Sequence, residues 1–419
     1  MRKRLLAILS RYLWPIDSGR KESLTHYFKE LYDNFNYEIK ILCFVEPGQE
    51  VREEDKPYYI AEINKLHDAS SLCKLINVAT HSFLPPRWPF QCSLYYCKKS
   101  FKQIRACVQE YKPDVIFTEM IRTCMYYKAF KGSNARLIAN LDDLLSVRYL
   151  RQLGYKQSQA GLAGNYEKKL SEGVSKALNS SFLKRLVLKM ESRRCAIWER
   201  RFYKIYDDVL MTADKERDAL NQEMQGNKAK TLSVGIDYGY FSQDIHVEKD
   251  PIGLSFVGNF NVAANIDSLS IIVNNLLPGI KHEHRLYVIG PCPQELQDKY
   301  SVNDKIIFCG RVDDLREYVK RTEIFLSPIA YGTGIKTKIV EAMAMGVPVL
   351  TNSIGIEGIS AEFGKDVIVS DDMQELASWV DKLLSDPECA ARIGKAGQKF
   401  SYDHFRWEKV FEVYREMGL

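Results

Sequence analysis

The sequence contains no apolar stretch long enough to span a bilayer, which takes about 18–20 consecutive apolar residues in a helix. Ten cysteines are present among the 419 residues, but none form a Cys-x-x-Cys pair, and no Cys and His have the spacing of a metal site. The closest two are Cys92 and Cys97. These absences argue against a helical membrane protein and a disulfide scaffold, and they predict reduced thiols in a cytoplasmic protein.

Two further signals are missing. The start of the chain places Arg2, Lys3 and Arg4 before an apolar run, as a signal peptide does, but the run is short and Arg11 interrupts it. We therefore expect this segment to form the first strand. No Asp-x-Asp sequence stands in a context suited to metal binding. We therefore expect that neither a metal ion nor another cofactor is required.

Charge is divided unevenly along the chain. The overall composition is ordinary for a globular protein, with 46% hydrophobic and 27% charged residues. Residues 1–240 hold 40 Lys and Arg against 28 Asp and Glu, and residues 241–419 hold 19 against 26. The first part is thus about +12 and the second about −7. A basic half of this kind indicates an anionic partner: nucleic acid, an anionic membrane or an acidic substrate.

The most informative segment is residues 331–350. It follows a short apolar run that ends at a proline, as a buried parallel strand does. Gly332 and Gly334 allow a tight turn, and the spacing predicts a helix that begins near Gly334. Free N–H groups at a helix start carry about half a positive charge, so together with Lys336 and Lys338 they could bind a diphosphate.

Each of these residues also has an ordinary structural explanation. A glycine-rich turn between strand and helix occurs in many α/β proteins, and lysines at a helix start are more often solvated than bound to a ligand. Two cations at a helix N-terminus oppose its dipole, however, which favours an anion between them and the amides. Gly346 and Pro348 then end the helix before another strand, so the unit is β-loop-α-β in a doubly wound sheet.

This segment resembles the donor-binding motif of the GT-B glycosyltransferases of family 4, the glycosyl transferases of group 1. The subgroup motif G-x-G-x-x-x-K-x-x-E-A-M-A-x-G-x-P-V has every fixed position present, from Gly332 to Val349. The likeness extends upstream through Phe308–Leu315 and downstream through Gly355–Gly358. It implies two Rossmann-like doubly wound α/β domains facing across a cleft, and a retaining enzyme that uses a nucleotide-diphospho-sugar.

The resemblance also implies residue roles. Glu341 would hold a sugar hydroxyl of the nucleoside, and Gly19 would lie under the diphosphate. Lys338 would stabilise the leaving diphosphate in a front-face transfer, where the acceptor attacks from the leaving-group side. The donor-binding residues that it implies are Gly19, Arg311, Gly332, Thr333, Gly334, Ile335, Lys336, Lys338 and Glu341.

Two departures from the family pattern bear on the donor. Many members have Glu eight residues before the ribose-binding Glu, where this chain has Thr333. The common Arg/Lys pair after the first strand of the C-terminal domain is also absent, because Asn-Phe-Asn stands at 259–261. Neutralisation of the donor phosphates therefore falls on Lys336, Lys338 and Arg311.

Two carboxylates are candidates for catalysis in the first half. Asp142 and Asp143 follow the strand predicted at 136–140, where α/β enzymes place active-site groups. Family members often carry a polar catalytic residue on this loop, so Asp142 is the first candidate and Asp143 the second. The alternative is that an Asp only caps the helix expected from about Leu144.

A basic run from Phe182 to Phe202 mixes cations with Leu, Phe and Trp. This composition is typical of a helix lying on an anionic bilayer. The alternative is a helix that packs its apolar residues into its own domain and leaves a basic face to solvent. Arg20 is either a basic surface residue or a ligand of an acceptor phosphate. The residues expected at the membrane or the acceptor are Arg20, Lys184, Arg185, Lys189, Arg193 and Arg194.

Strand-like and helix-like segments alternate in both halves at the spacing of a parallel sheet. We place an acceptor-binding domain at 1–245 and a nucleotide-sugar-binding domain at 251–400, with a final helix at 401–417 that packs back on the first. Residues 154–181, rich in Gly, Ser, Ala and Lys, are expected to form a mobile loop, and a helix is expected from about Ser23. The predicted strands are 4–9, 38–45, 114–118, 136–140, 208–212, 253–258, 285–290, 305–309, 323–327, 347–351 and 366–369.

These features predict a glycosyltransferase with a nucleotide-sugar donor and a saccharide acceptor, expected to be lipid-linked and to serve bacterial surface polysaccharide or glycolipid synthesis. It would work peripherally on the cytoplasmic face of the inner membrane, without nucleic acid as a partner. Two other classes stay open: a GT-B epimerase without an acceptor, and a non-catalytic nucleotide-sugar-binding partner. The epimerase would need an acid/base set, and the binding partner would lose the first-domain loop, whereas Gly19 and Asp142 are present.

Overall fold

A computed structural model describes residues 2–16, 18–46, 48–84, 87–154, 181–332 and 334–419. Thr333 and most of the loop predicted at 154–181 therefore lie outside the described residues, as do the side chains of residues 154 and 181–184. Contacts divide the chain into two compact units, which are Met1–Leu232 with Val413–Leu419, and Ser233–Glu412. Each unit holds a parallel sheet flanked by helices, so the predicted α/β class with two Rossmann-like domains is confirmed.

The first unit is built on a parallel sheet of seven strands within the described residues. These are β1 (Lys3–Leu9), β2 (Tyr37–Cys43), β3 (Glu62–Lys65), β4 (Val115–Glu119), β5 (Arg136–Asp142), β6 (Asp208–Met211) and β7 (Ala229–Thr231). Their spatial order is β3-β2-β1-β4-β5-β6-β7. The chain therefore winds away from β1 in both directions, and the switch in direction between β1 and β4 is where open α/β sheets place ligands.

The second unit has a six-stranded parallel sheet within the described residues. Its strands are β8 (Gly253–Val257), β9 (Arg285–Ile289), β10 (Ile306–Gly310), β11 (Ile324–Ser327), β12 (Val349–Thr351) and β13 (Ile368–Val369). Their order is β10-β9-β8-β11-β12-β13, so the switch lies between β8 and β11. The loop with the donor motif follows β11 and therefore begins at this switch.

Helices connect the strands in both units. In the first they are α1 (Gly19–Asp33), α2 (Ser71–Asn77), α3 (Phe90–Tyr95), α4 (Lys98–Tyr111), α5 (Met120–Cys124), α6 (Leu145–Gly154), α7 (Ser181–Ile205) and α8 (Asp214–Met224). In the second they are α9 (Tyr238–Ser242), α10 (Ala263–Ile271), α11 (Gln294–Tyr300), α12 (Leu315–Val319), α13 (Thr337–Ala344), α14 (Met373–Ser385), α15 (Pro387–Phe405) and α16 (Trp407–Val410). The last helix, α17 (Glu412–Glu416), lies where the chain returns to the first unit. Short 3-10 or π turns occur at Glu53–Asp55, Val78–Ser82, Met125–Phe130, Ile272–Leu276 and Leu277–Gly279.

The predicted helix at 401–417 is wrong as a single element. Ser401–Phe405 completes α15, and the chain then breaks at Arg406, whose backbone is extended at φ −66° and ψ 145° and pairs with Ile236. Only residues from Val413 onward return to the first unit, where Tyr414 is buried against Phe35 with ring centres 5.6 Å apart. The unit boundary also lies at Leu232, earlier than the boundary between 245 and 251 that the sequence predicted.

Candidate functional site

The donor motif forms a loop before α13. Gly334 has a left-handed backbone, with φ +73°, and Lys336 is extended at φ −92° and ψ 94°. Because neither residue is helical, the helix begins at Thr337, and the prediction that it begins near Gly334 is wrong by three residues. Lys336 thus immediately precedes the helix, while Lys338 is its second residue. The Lys336 Nζ donates to the Gly334 carbonyl at 2.5 Å.

Lys338 reaches from α13 to the end of β8. Its Nζ donates to the Val257 carbonyl at 3.0 Å and to Asn265 Oδ1 at 3.2 Å, and it lies 4.6 Å from the ring centre of Phe256. Burial and, to a smaller extent, the charge of Lys336 lower the pKa of Lys338 to about 8, although the carboxylate of Glu341 opposes both. A buried ammonium whose hydrogen-bond acceptors are neutral has no full countercharge, so a nearby anion stabilises its charged form strongly.

Three neighbouring strands of this sheet end in glycine. Gly258, Gly290 and Gly310 follow or end β8, β9 and β10, and the Gly290 amide donates to the Gly310 carbonyl at 2.8 Å. A Cβ on Gly290, whose φ is +128°, would lie 2.0 Å from the Gly258 carbonyl oxygen. Glycine is therefore required there for the backbones to approach. The strand ends leave an open edge without side chains, where a ligand can meet backbone groups.

A pocket of about 530 Å³ opens at this edge. Arg311, Ile335, Lys336 and Lys338 all line it, so four of the predicted donor-binding residues lie together. The sequence reasoning missed the other lining residues, although the strand-then-glycine pattern that ends β9 was readable. These further residues are Val257, Gly258, Asn259, Asn265, Ile289, Gly290, Pro291, Val312, Leu315 and Thr337.

Glu341 lies one turn beyond Lys338 on the half-buried side of α13. Its carboxylate raises the pKa of Lys338. Gly332 is in the loop before it, with Lys336 Cε 3.5 Å from the position of an added Cβ. The ribose-binding role of Glu341 stays a prediction.

A second set of charged residues gathers at the C-terminal edge of the first sheet. Arg20 is the second residue of α1, directly after Gly19, and its Nη1 donates to Asp142 Oδ1 at 2.9 Å. Asp142 ends β5 with a left-handed φ of +73°. The helix expected from about Ser23 begins four residues earlier, at Gly19, which brings Arg20 to this edge.

Glu119 is the buried centre of this set, and the sequence reasoning missed it. It ends β4, is 0% exposed, and lies 3.5 Å from Arg20 Nε and 3.6 Å from Arg11 Nη2. The Ser10 amide donates to it at 3.0 Å. Burial alone would raise the pKa of this carboxyl, but Arg11, Arg20 and Arg122 together hold it at about 2. A carboxylate at the end of a buried apolar strand is the signal that could have identified it.

Asp143 lies apart from this set. It is 3% exposed and accepts from Arg148 Nε of α6 at 2.6 Å. The amides near the start of α6 bond to other carboxylates, with Leu144 N donating to Glu216 at 3.4 Å and Ser146 N donating to Glu199 at 3.1 Å. The geometry therefore favours Asp142 over Asp143 as a group that meets a ligand.

The basic helix α7 divides into two faces. Arg185, Lys189 and Arg193 are exposed, as the membrane hypothesis requires. Arg194, however, is 6% exposed and pairs with Glu191 at 3.1 Å, so its prediction as a membrane residue is wrong. Trp198 and Phe202 of this run also point inward, since Trp198 is 2% exposed and Phe202 0%. The side chain of Lys184 is outside the described residues.

The described residues contain neither a metal-binding cluster nor a membrane-spanning helix. In these ranges no three His, Cys, Asp or Glu side chains form a group that could hold a metal ion. Likewise, no helix in the described part of the chain is both long and apolar enough to cross a membrane. All ten cysteines fall in this part and are free thiols.

Two open-edged parallel sheets, with a lysine-bearing loop and helix in the second, define the GT-B class of fold. Sucrose-phosphate synthase from Thermosynechococcus elongatus has this fold with a TM-score of 0.66 at 16% identity, over 99% of each chain. HepE of Anabaena in complex with UDP gives 0.63 at 14% identity, also over 99% of each chain, and has been solved with UDP-glucose. At such identities the likeness shows the fold alone.

The family of the second unit follows from its sequence. Residues 251–386, which lie in this unit, match the family described as glycosyl transferases group 1, so the chain carries a glycosyltransferase domain. An uncharacterized glycosyltransferase of Methanocaldococcus jannaschii, MJ1607, is 27% identical over 180 residues, which are 41% of this chain and 45% of that protein. The match thus spans less than half of the relative's length.

Proposed function

We propose that the protein is a retaining glycosyltransferase that moves a sugar from a nucleoside-diphosphate sugar to an acceptor hydroxyl. The observation that carries this proposal is the glycine-edged pocket of the second unit, where Arg311, Lys336 and Lys338 gather beside the start of α13. Helix amides and cations at one point are suited to a diphosphate. The group 1 family match and the UDP complexes of HepE support the same class of donor.

The chemistry we propose needs no enzyme nucleophile. The bond between the anomeric carbon and the diphosphate oxygen breaks, and the acceptor oxygen forms a new bond on the same face. The leaving phosphate oxygen takes the acceptor's proton. Lys336, Lys338 and the first amides of α13 stabilise the charge that develops on the diphosphate, and Glu341 holds the ribose. Retention of configuration rests on the resemblance of the motif to family 4.

We assign acceptor binding to the first unit. Gly19, Arg20 and Asp142 stand at the C-terminal edge of its sheet, and Glu119 holds Arg20 there through an ion pair. Asp142 is the carboxylate we expect to meet the acceptor, since Asp143 is buried against Arg148. The acceptor we propose is a lipid-linked saccharide of bacterial surface polysaccharide or glycolipid synthesis. The basic charge of residues 1–240 and the exposed cations of α7 support an anionic lipid surface as its location.

Donor binding tests this proposal directly. Lys338→Ala and Glu341→Ala should each weaken binding of a nucleoside diphosphate about 10- to 150-fold, because a hydrogen bond to a charged group contributes roughly 1.5–3 kcal/mol. Calorimetry with a panel of nucleoside diphosphates measures this. Lys395→Ala, at an exposed lysine on α15, is the control and should bind as the wild type does. Unchanged affinity in both site variants would refute the donor site.

Transfer itself is measured as nucleoside diphosphate release from a panel of nucleotide-sugars with lipid-linked acceptors. We expect release to persist in EDTA, because cations of the protein take the role of a metal ion. A strict requirement for Mg²⁺ or Mn²⁺ would contradict the proposed leaving-group chemistry.

A further inference from the structure

The helical segment Ser71–Ser82, formed by α2 and the π turn after it, turns its apolar face away from the protein. Its apolar residues recur at intervals of three and four, which places them on one face. The exposed fractions are 68% for Leu72, 61% for Leu75, 51% for Ile76, 56% for Phe83 and 59% for Leu84. Phe83 and Leu84 directly follow the helical segment, and we call these five residues the outer face. A surface helix normally buries such a face, so this one is reversed.

Polar contacts on the opposite side hold the segment in this orientation. Asn77 Nδ2 donates to the Tyr96 carbonyl at 2.7 Å, and Ser82 Oγ lies 2.8 Å from Ser93 Oγ. The ring of His81 stacks on Trp88 with centres 4.3 Å apart. Since hydrogen bonds and stacking hold the polar side against the protein, the apolar side chains stay exposed in a fixed orientation.

The surroundings of the outer face are cationic. No Asp or Glu occurs in the sequence from Ala69 to Gln109. The same stretch carries the exposed cations Arg87, Lys98, Lys99, Lys102 and Arg105. Its remaining cation, Lys74, is neutralised by an ion pair with Asp68 at 2.8 Å.

Cations also flank the outer face in space. On one side is Lys98, whose side chain is exposed. Burial and the nearby charge of Lys98 lower the pKa of His81. On the other side, Phe83 lies against α7, where its ring centre is 5.7 Å from the guanidinium of Arg194. Arg194 itself is buried and paired with Glu191, so it locates the helix and does not contact lipid. The exposed cations of α7 continue from there.

We propose that the outer face inserts into the headgroup region of a bilayer that contains anionic lipids, while the flanking cations contact lipid phosphates. An apolar face with a cationic border is the arrangement of an interfacial helix. A second copy of this chain fits less well, because two such cationic borders would repel each other. The inference rests on the proposed function, since it names the lipid surface where a lipid-linked acceptor would be met.

Vesicle sedimentation of the full chain tests the inference. The variant Leu72→Ser, Leu75→Ser, Phe83→Ser, Leu84→Ser should bind vesicles of phosphatidylcholine with phosphatidylglycerol at least about 100-fold less than the wild type, because each buried Leu or Phe contributes roughly tenfold. The matched control is Val302→Ser, Phe363→Ser, Tyr402→Ser, which removes exposed apolar residues from the second unit and should bind normally. Equal binding by the wild type and the outer-face variant overturns the inference.

Cys73 provides a direct readout of insertion. It is exposed on α2, whereas Cys292 and Cys309 are half-buried and the other seven cysteines are buried, all within the described residues. A polarity-sensitive fluorophore on Cys73, in a Cys292→Ser, Cys309→Ser background, should shift to the blue with anionic vesicles and not with phosphatidylcholine alone. No shift on vesicles that bind the protein would show that the outer face stays in water.

Two further results separate the alternatives. If the outer-face variant converts a dimer to a monomer in analytical ultracentrifugation and the wild type binds no vesicles, the outer face is a self-association surface and the inference is wrong. Nucleoside diphosphate binding, measured on the same proteins, reports on the proposed function separately. Normal nucleotide binding without vesicle binding removes only the lipid inference, whereas vesicle binding without nucleotide binding removes the proposed function.

Discussion

At the scale of single residues, Lys338 illustrates how a cation is prepared for an anionic ligand. Its ammonium is buried and bonded to a carbonyl and an amide oxygen, neither of which carries a full charge. Burial therefore lowers the pKa of Lys338 to about 8. In the proposed donor site, an arriving diphosphate would supply the missing countercharge and raise that pKa again, so ligand binding and proton binding would be coupled.

This coupling predicts a pH dependence of donor binding. Lys338 is charged in the free protein below its pKa and becomes neutral above it, so affinity for a nucleoside diphosphate should fall up to about tenfold per pH unit above about pH 8. Calorimetry in buffers of different ionisation enthalpy should show proton uptake on binding in that range. Lys338→Arg keeps its charge and should flatten the profile. A flat wild-type profile would contradict the lowered pKa.

Glu119 in the first unit is a buried anion that is neutralised by neighbouring cations of the protein. It balances the buried charge of Arg20, so Glu119→Gln should lower the free energy of unfolding by about 3–5 kcal/mol near neutral pH, as expected when a buried pair loses one partner. Its folded pKa of about 2 lies below the ordinary value of 4.5, so this stabilisation should be lost as pH falls from about 4.5 towards 2.

Urea unfolding at several pH values measures both effects. Glu110→Gln, at an exposed site on α4, is the control and should change stability little. A Glu119→Gln protein as stable as the wild type would show that the cluster is solvated.

The site residues predicted from sequence are those that lie close together along the chain. Arg311, Lys336 and Lys338 follow from a local motif, and all three line the pocket. Glu119 and Asn265 were missed because their partners are distant in sequence: 99 residues separate Glu119 from Arg20, and 73 separate Asn265 from Lys338. Such contacts depend on which strands become neighbours, which a single sequence does not specify.

At the scale of elements, buried parallel strands were the easiest to predict. β1 reads as an unbroken apolar run because Leu5–Leu9 is buried on both faces. β3 (Glu62–Lys65) and β7 (Ala229–Thr231) were missed because they are short, partly polar edge strands, which need no apolar run.

The helix α7 shows the limit of composition. Its mixture of cations and aromatic residues predicted a membrane-facing helix, but Trp198 and Phe202 pack inward and buried carboxylates accompany them. Burial raises the pKa of Glu199 to about 7, although the amide and hydroxyl of Ser146 oppose this by donating to it. These bonds connect α7 to α6, so they fix the start of the helix that follows Asp142.

A pH dependence of stability follows from Glu199. Its folded pKa lies above the ordinary 4.5, so the cost of burying its charge is absent below about pH 4.5 and appears as pH rises towards 7. Glu199→Gln removes that cost and should be more stable than the wild type by roughly 1–3 kcal/mol near pH 8. Thermal or urea unfolding across this range tests it.

The control for Glu199 is Glu223→Gln, which removes a carboxylate from an exposed pair with Arg200. It should change stability by less than about 1 kcal/mol at every pH. A Glu199→Gln protein that is less stable than the wild type near pH 8 would show that Glu199 is charged and favourably paired.

At the scale of the whole molecule, charge separates the two parts of the chain. Residues 1–240 carry about +12, and residues 241–419 about −7. The exposed cations of α7, together with those around the outer face, are therefore a surface that an anionic membrane would attract and that salt would screen. Exposure decides which of the predicted basic residues take part, because only exposed charges meet lipid without first breaking an ion pair.

The last prediction separates exposed from buried cations. Arg185→Gln, Lys189→Gln, Arg193→Gln should weaken binding to anionic vesicles about 100-fold at low salt, since each cation near the surface contributes about 1 kcal/mol. The control Lys281→Gln, Lys305→Gln, Lys395→Gln removes the same charge from exposed sites of the second unit and should have little effect. Arg194→Gln should instead destabilise the fold, because it leaves Glu191 buried without its partner. Vesicle sedimentation measures the binding of the two triple variants, and urea unfolding measures the stability of the Arg194 variant. Equal loss of binding in the triple variant and its control would show that total charge matters more than the α7 surface.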